Sequence, residues 1–387
     1  MENINIVVLP YRDRYFVENY GPAVRDLHMI QALGTSPSVA SVKVFNRPVS
    51  IHERVLGRKR RATGSASSPA FPGVQWIDRT SSDLIGPLSK RRWLASCYLP
   101  WMDDIAALRV PGSYNILLDF TPISTINYDS LKFDLVWYDL IDNFSKHNRF
   151  SAFEKSLAAS KYASIARRAD VVTAVSQGAL SAVDQSHSAN RFVVSNGLPA
   201  LTQQTRNSSD KKPEFDFGFM GFVTDKFDVV FIEKLTSFGF SVAVHGDVYD
   251  QEIGRTLSAI KGVSLFGRFR AEEAKARADT FRVGLIPYLR EKLHDESPLK
   301  LYQYLNWGIP VLTSTNFEVS NRFIKVYSGL RDTELKKLCE EHLSLTSEEG
   351  AYALVAASVD RSAQWETKIE ELLKDVMYST KRNLAGD

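Results

Sequence analysis

Short apolar runs alternate with amphipathic stretches through the first half of the chain. The strand-like runs lie at residues 4–10, 39–46, 115–120, 133–142, 170–176 and 191–199. Helical stretches lie between them, at residues 21–33 (GPAVRDLHMIQAL) and 149–169 (RFSAFEKSLAASKYASIARRA), and residues 57–70 read as a loop. Continuous apolar runs separated by helices are typical of a parallel sheet with helices on both faces. The pattern therefore predicts an α/β fold.

A second series of the same kind follows a polar stretch. Its strand-like runs lie at residues 215–222, 240–248, 263–267, 281–288 and 309–314. We predict two Rossmann-like, doubly wound domains that face a central cleft, with residues 1–198 in the first and 214–360 in the second. Residues 199–213 are predicted to be the linker, and residues 361–387 a helix that packs back on the first domain.

The segment SPLKLYQYLNWGIPVLTS, residues 297–314, contains a charge that conflicts with its predicted helix. Ser297 is a good N-cap and Pro298 suits the first helical position. Lys300 then falls in the first turn, where the helix dipole favours anions. A bound anion such as a phosphate would remove the conflict. The alternative is a solvated lysine whose chain turns away from the helix end.

Composition limits the classes of protein to consider. The chain has 387 residues, of which 44% are apolar and 24% charged. No apolar run approaches the roughly 20 residues that a membrane-spanning helix needs. The start, MENINIVVLP, lacks the features of a signal peptide, and the two cysteines form no metal-binding pattern. These features indicate a cytoplasmic protein.

Positive charge is concentrated in the first half. Residues 1–198 carry 23 Lys and Arg against 17 Asp and Glu, and the excess lies between Arg54 and Arg92. Trp93, Tyr98, Leu99 and Trp101 follow directly. Basic residues next to aromatic ones suit an anionic membrane surface, so residues 54–101 are predicted to contact a membrane peripherally. A solvated loop is the alternative, and no nucleic-acid-binding motif accompanies the patch.

Four segments resemble glycosyltransferases of the GT-B class, in particular the bacterial xanthan glucuronosyltransferase family and related exopolysaccharide enzymes. They are RDLHMIQAL (25–33), WYDLIDNFS (137–145), IPYLRE (286–291) and LKLYQY (299–304). The resemblance implies an inverting, metal-independent enzyme without a cofactor, which moves a sugar from a UDP-sugar to a saccharide acceptor. It also implies a lipid-linked acceptor and a place at the inner face of the cytoplasmic membrane.

The same resemblance implies roles for individual residues. Lys300 would neutralise the diphosphate, Asp142 would be the general base, and Gly221 would let the backbone approach the donor. The remaining donor-side positions would be Phe222, Glu291, Ser297, Pro298, Leu301 and Gln303. The acceptor-side positions would be His28 and Asp139. No residues are assigned to a metal.

Several alternatives stay open. Asp142 could be the N-cap of the following helix, and Asp139 competes with it for the role of base. Many retaining GT-B enzymes have a glutamate where this chain has Gln303, and Asp295 stands eight residues earlier. The runner-up functions are a retaining transferase and a nucleotide-sugar 2-epimerase, followed by a catalytically silent relative.

Overall fold

The computed structural model describes residues 3–55, 64–68, 71–83, 92–184, 190–198, 212–347 and 350–384. The chain divides into two compact units. The first comprises Met1–Ser195, His294–Glu296 and Gln364–Asp387, and the second comprises Asn196–Leu293 and Ser297–Ala363. Most of the predicted linker, residues 199–211, lies outside the described residues.

The first unit is built on an eight-stranded sheet with strand order β10-β9-β8-β7-β1-β2-β5-β4. All neighbours are parallel except β4 and β5. The short strands β3 and β6 form a separate parallel pair. The strands of this unit are Ile4–Leu9 (β1), Val39–Phe45 (β2), Val49–Ser50 (β3), Gly64–Ser68 (β4), Phe71–Asp78 (β5), Thr80–Ser81 (β6), Tyr114–Asp119 (β7), Leu135–Leu140 (β8), Val171–Ala174 (β9) and Asn190–Val193 (β10).

The second unit has a six-stranded sheet with order β13-β12-β11-β14-β15-β16, in which every pair is parallel. Its strands are Phe215–Met220 (β11), Val242–His245 (β12), Val263–Gly267 (β13), Phe281–Ile286 (β14), Val311–Thr313 (β15) and Ile324–Val326 (β16). The prediction of two doubly wound α/β domains is confirmed.

Helices connect the strands in both units. In chain order they are Arg14–Tyr20 (α1), Arg25–Thr35 (α2), Ile51–Val55 (α3), Met102–Ala106 (α4), Tyr128–Leu131 (α5), Ala152–Arg168 (α6), Gln177–Leu180 (α7), Val229–Ser237 (α8), Gln251–Ala259 (α9), Ala274–Ala278 (α10), Leu299–Asn306 (α11), Asp332–Ser344 (α12), Ala351–Ala357 (α13) and Trp365–Leu384 (α14). The last of these packs on α2 within the first unit. Single 3₁₀ turns lie at Leu99–Trp101, Ala271–Glu273, Arg290–Lys292 and Arg361–Ala363.

The central strands are apolar because both of their faces are covered. All six residues of β1 and all six of β8 are buried. Burial of apolar surface is worth about 25 cal/mol per Å², so these strands supply much of the stabilisation of the sheet. The buried polar Asn5 of β1 is satisfied by Asn115 of β7, with 2.9 Å between Nδ2 and Oδ1.

Two strand predictions were wrong in detail. Part of the predicted loop at residues 57–70 forms β4, which pairs antiparallel with β5 at the sheet edge, and β5 itself was not predicted. Ser, Ala and Gly carry little hydrophobic pattern, so the sequence gives no sign of a strand that pairs with its neighbour. The predicted strand 133–142 ends at Leu140, two residues before Asp142.

The aromatic residues of the predicted membrane patch mostly face inward. Trp93 is 5% exposed and Tyr98 2% exposed, and the guanidinium of Arg47 lies 5.0 Å from the Trp93 ring centroid. Leu99, at 45% exposure, does face solvent. The prediction that Trp93 and Tyr98 contact a membrane is therefore wrong, since their rings are needed in the core. Much of the basic sequence, at residues 56–63 and 84–91, lies outside the described residues.

Each sheet contains a point where the strand order reverses direction. In the first sheet β1 has β2 on one side and β7 on the other; in the second, β11 lies between β12 and β14. Ligands of doubly wound sheets bind beyond the carboxyl ends of the strands at such points. The loops after β11 and β14 are therefore the first place to look for a site in the second unit.

Candidate active site

Lys300 lies at the switch point of the second sheet. Its Nζ donates a hydrogen bond to the hydroxyl of Tyr288, just after β14. The same nitrogen lies 4.8 Å from the ring centroid of Phe219 in β11 and 5.0 Å from that of Tyr288. The aromatic rings hold the ammonium group over the ends of two strands rather than letting it extend into solvent. The alternative of a lysine that turns away from the helix end is therefore wrong.

Two glycines keep the backbone next to this lysine free of side chains. Gly221 follows β11 with φ 134°, and a Cβ there would lie 3.0 Å from Lys300 Nζ. Gly246 follows β12 with φ 137°, and a Cβ there would lie 1.9 Å from the carbonyl oxygen of Gly221. Only glycine adopts such φ values without strain. The ammonium group of Lys300 therefore lies next to backbone that carries no side chain.

The amino end of α11 differs from its prediction. The N-cap is Pro298, whose backbone is extended and which offers no side-chain cap. Ser297 is one residue too early to cap the helix, so its predicted role as N-cap is wrong, while its donor-side role stays a prediction. Its hydroxyl is buried with no hydrogen-bond partner, and the residue is 6% exposed. A helix end without a side-chain cap, beside an unpartnered hydroxyl and an ammonium group, offers the donors that an anion requires.

The other donor-side residues divide by exposure. Leu301 is fully buried in the core of the second unit, so its side chain does not reach a ligand, which corrects its assignment. Gln303 is half-buried, and Glu291 is exposed in the 3₁₀ turn Arg290–Lys292. Phe222 is half-buried, and its ring centroid lies 5.1 Å from that of Tyr249. Lys300 and Gly221 are the predicted residues that the structure brings together.

Asp142 lies in the first unit, in the loop after β8. Its side chain is 27% exposed, and its Oδ1 lies 3.7 Å from Nδ1 of His294. The alternative role as an N-cap is wrong, because the next helix, α6, is capped by Ser151 in a capping box with Glu154. Asp142 is therefore partly exposed, so that a substrate can reach it, and it is attached to the end of a buried strand that fixes its position. A general base needs both properties.

A short segment, His294–Glu296, belongs to the first unit and packs around Asp142; we call it the strap. Asp295 has φ 63°, and its Oδ2 accepts hydrogen bonds from Asn143 Nδ2 at 2.8 Å and Lys146 Nζ at 2.9 Å. Its carbonyl oxygen accepts from Ser176 Oγ at 2.6 Å, and the amide of Asn143 donates to the carbonyl of His294 at 3.1 Å. These bonds hold the strap in a left-handed conformation that Asp tolerates better than most residues.

Asp139 is occupied within the core. Arg25 binds it with two hydrogen bonds, of 2.9 Å from Nε and 2.8 Å from the terminal nitrogen, and Thr173 Oγ1 donates at 2.6 Å. The side chain of Asp139 has no exposure, so neither the role of base nor the acceptor-side role fits its position. Side chains alternate between the two faces of a strand, and Asp139 lies within β8 on the face where Arg25 of α2 packs. Its carboxylate therefore does not extend beyond the end of the strand.

His28 is more deeply buried than an acceptor-side residue should be. It is 4% exposed on α2, and neither ring nitrogen has a hydrogen-bond partner. Burial lowers the pKa of His28 to about 4, so the ring is neutral at pH 7. The structure therefore supports a buried neutral histidine in this position and does not place it at a surface.

Acid should destabilise the protein below about pH 6.5. Burial lowers the pKa of His28, His245 and His342 to about 4, so the unfolded chain takes up their protons first. Each then removes up to about 1.4 kcal/mol of stability per pH unit between pH 6.5 and 4. Asp26 acts oppositely, because burial raises its pKa to about 6 and the folded state binds that proton first.

Thermal unfolding of two variants from pH 7 to pH 5 checks this expectation. His28→Gln should make the fall in melting temperature shallower, and Asp26→Asn should make it steeper. Equal slopes in the two variants would contradict the assignment of these protons.

In the described part of the chain, no three His, Cys, Asp or Glu side chains are grouped as ligands for a metal ion. Metal independence stays a prediction. Likewise, no helix among the described residues is both long and apolar enough to cross a membrane.

Sequence reasoning missed His294 and Glu296 as neighbours of Asp142, and Tyr288 as the partner of Lys300. The strap stands about 150 residues from β8 in the chain, and no local pattern predicts that contact. Tyr288 could have been found, since it is the last residue of the predicted strand 281–288, at the edge where Lys300 was expected.

Solved structures share this architecture over nearly the whole chain. A trehalose 6-phosphate synthase from Burkholderia multivorans has a TM-score of 0.61 at 12% identity, with 100% of this chain and 98% of that chain covered. The apo form of the lipopolysaccharide outer core galactosyltransferase WaaB has a TM-score of 0.59 at 11% identity, covering 97% and 99%. The chain has the GT-B fold. Anabaena Alr3699/HepE in complex with UDP-glucose has a TM-score of 0.58 at 14% identity, covering 96% and 99%.

The GT-B fold accounts for both series of strands. The sequence matches no protein-family model and no curated protein. At sequence identities this low, the structural similarity establishes the fold alone, and the chemistry has to be argued from the site.

Proposed function

We propose that the protein is a glycosyltransferase that moves a sugar from a UDP-sugar to a saccharide acceptor. The observation that carries this proposal is Lys300 in the first turn of α11, held over the switch point beside Gly221. The lysine and the amino end of α11 would bind the diphosphate of the donor. The bound UDP-glucose in the similarly folded HepE supports a nucleotide sugar as the ligand.

The proposed reaction is a direct displacement with inversion. Asp142 takes the hydroxyl proton of the acceptor while the acceptor oxygen bonds to the anomeric carbon. The bond from that carbon to the diphosphate oxygen breaks, and UDP leaves with the electron pair. Lys300 stabilises the charge that develops on the diphosphate, and such preorganised charges contribute much of the rate enhancement in many enzymes. This chemistry needs no metal ion.

Three features support inversion over retention. Gln303 stands where many retaining enzymes carry a glutamate. Asp295, eight residues earlier, has its carboxylate bound by Asn143 and Lys146. Asp142, in contrast, is partly exposed and can receive a proton.

We also propose a lipid-linked acceptor in the assembly of a bacterial surface or exopolysaccharide, at the inner face of the cytoplasmic membrane. The basic excess between Arg54 and Arg92 supports this, because each basic residue near an anionic membrane contributes about 1 kcal/mol. Leu99 offers an exposed apolar side chain at the end of this segment.

Binding of UDP by isothermal titration calorimetry, without added metal, tests the donor site. Lys300→Ala should weaken binding about ten- to hundredfold, since a hydrogen bond to a charged group is worth about 1.5–3 kcal/mol. Lys234→Ala is the matched control, because Lys234 forms a surface ion pair with Asp332 in the same unit. UDP binding that is absent, or equal in both variants, would contradict the proposal.

A further inference from the structure

His294 lies between two carboxylates in the first unit. Its Nδ1 is 3.7 Å from Asp142 Oδ1 and 3.4 Å from Glu296 Oε2. The two carboxylates differ in exposure: the side chain of Glu296 is 8% exposed and that of Asp142 27%. One buried imidazole therefore faces an inner carboxylate and an outer one.

The imidazole of His294 is held in a fixed orientation. Its ring stacks on that of His147 with 4.4 Å between centroids and 23° between planes. His147 in turn stacks on Phe144 at 5.6 Å and 9°. The amide of His294 donates to Glu296 Oε2 at 2.7 Å, so the strap also positions the inner carboxylate. The stacking fixes the plane of the ring, and in this plane Nδ1 faces both acids.

Other ionisable groups of the described residues also lie near the ring. Asp295, in the strap, is paired with Lys146 from the loop after β8. Tyr162 of α6 donates from its hydroxyl to the carbonyl oxygen of Asp142 at 3.3 Å, and burial raises the pKa of this phenol, with the charges of Asp142 and Asp295 adding to the effect. Ser176, before α7, is uncharged. Among the described residues, Glu296 and Asp142 are the acids whose carboxylates lie within 4 Å of His294 Nδ1.

Resting on the proposed function, we infer that His294 is a positioning residue that keeps Asp142 ionised beside Glu296. Two carboxylates close together resist ionising at the same time. A protonated imidazole between them supplies the opposite charge, so both acids stay ionised and Asp142 remains able to accept a proton. The three groups titrate as one coupled system.

This arrangement predicts opposite effects for two substitutions. His294→Gln removes the cation and leaves Asp142 facing Glu296, so Asp142 takes up a proton at higher pH. Glu296→Gln removes the competing anion, so Asp142 stays ionised to lower pH, and His294 loses its proton at lower pH as well. A purely structural histidine would lower activity without moving either midpoint.

The first experiment observes the histidine directly, in the full-length protein without ligand. ¹⁵N-histidine NMR spectra are recorded against pH, and the His294 signal is assigned by its loss in His294→Gln. Glu296→Gln should lower the midpoint of the His294 titration by about one pH unit, a tenfold weaker hold on the proton. An unchanged midpoint would overturn the inference, whatever the activity. Asp129→Asn, at an exposed position of the same unit, is the matched control, and an equal shift there would also overturn the inference.

The second experiment measures UDP release from UDP-glucose, with water as the acceptor, over a range of pH. The acid limb of kcat/KM should move up by about one pH unit in His294→Gln and down in Glu296→Gln. Lower activity with an unmoved limb would overturn the role of His294. If the wild type releases no UDP while the NMR shift is present, the proposed function fails and the Asp142–His294–Glu296 coupling stands.

Discussion

Replacing Asp142 by Asn is expected to lower kcat by about 100- to 10,000-fold, the contribution typical of a positioned general base. The amide has nearly the shape of the carboxylate but cannot accept the acceptor proton at neutral pH. Asp142 belongs to the first compact unit and Lys300 to the second, so we expect the affinity for UDP to stay unchanged. Initial rates of UDP release, together with calorimetric titration of UDP, separate the two effects.

Asp129→Asn is the matched control for this experiment. Asp129 lies in the same unit, where it forms a surface ion pair with Arg168, and its side chain is 60% exposed. Its substitution should leave kcat within twofold, which is about 0.4 kcal/mol. Full activity in Asp142→Asn would remove this base from the proposed mechanism and favour another base.

Breaking the buried Arg25–Asp139 pair should cost about 3–5 kcal/mol of stability in the first unit. Arg25→Met leaves the carboxylate of Asp139 without its cation in a site with no solvent exposure. Thr173 would still donate a hydrogen bond to Asp139, and the Thr173 hydroxyl accepts one from Trp137 Nε1 at 2.8 Å. One neutral donor does not replace a cation that forms two hydrogen bonds. Urea unfolding followed by the fluorescence of the tryptophans measures the loss.

A double-mutant cycle separates the ion pair from general packing. Asp139→Asn keeps an acceptor for Thr173 and removes the charge. The double variant Arg25→Met, Asp139→Asn should lose clearly less stability than the two single losses combined, because it leaves no unpaired charge behind. Additive losses would show that the two side chains act independently, contrary to the structure.

The sequence alone determined the two series of buried parallel strands and the position of α11. Strands covered on both faces must be apolar throughout, so β1, β8 and β11 are visible as continuous runs without any partner information. Lys300 at the start of a helix was also visible, because it is a local conflict between a charge and a helix dipole.

Predictions from local sequence patterns were wrong for residues whose partners are distant in the sequence. Asp139 and Asp142 are three positions apart, yet one is sealed by Arg25 from α2 and the other reaches the surface. Trp93 and Tyr98 resemble a membrane-facing patch in sequence, and the packing around Arg47 and Phe45 draws them inward. The same aromatic residue can face a membrane or pack in the core, so only the neighbouring residues in the folded structure decide whether it is buried.

The tertiary structure alone decided what surrounds Asp142. The strap His294–Glu296 is joined to the loop after β8 by hydrogen bonds across about 150 residues of chain, and its left-handed Asp295 follows from those bonds rather than from local preference. Secondary-structure patterns report how a segment buries its own surface. They do not report which distant segment completes a charged site, because that depends on how the whole chain closes on itself.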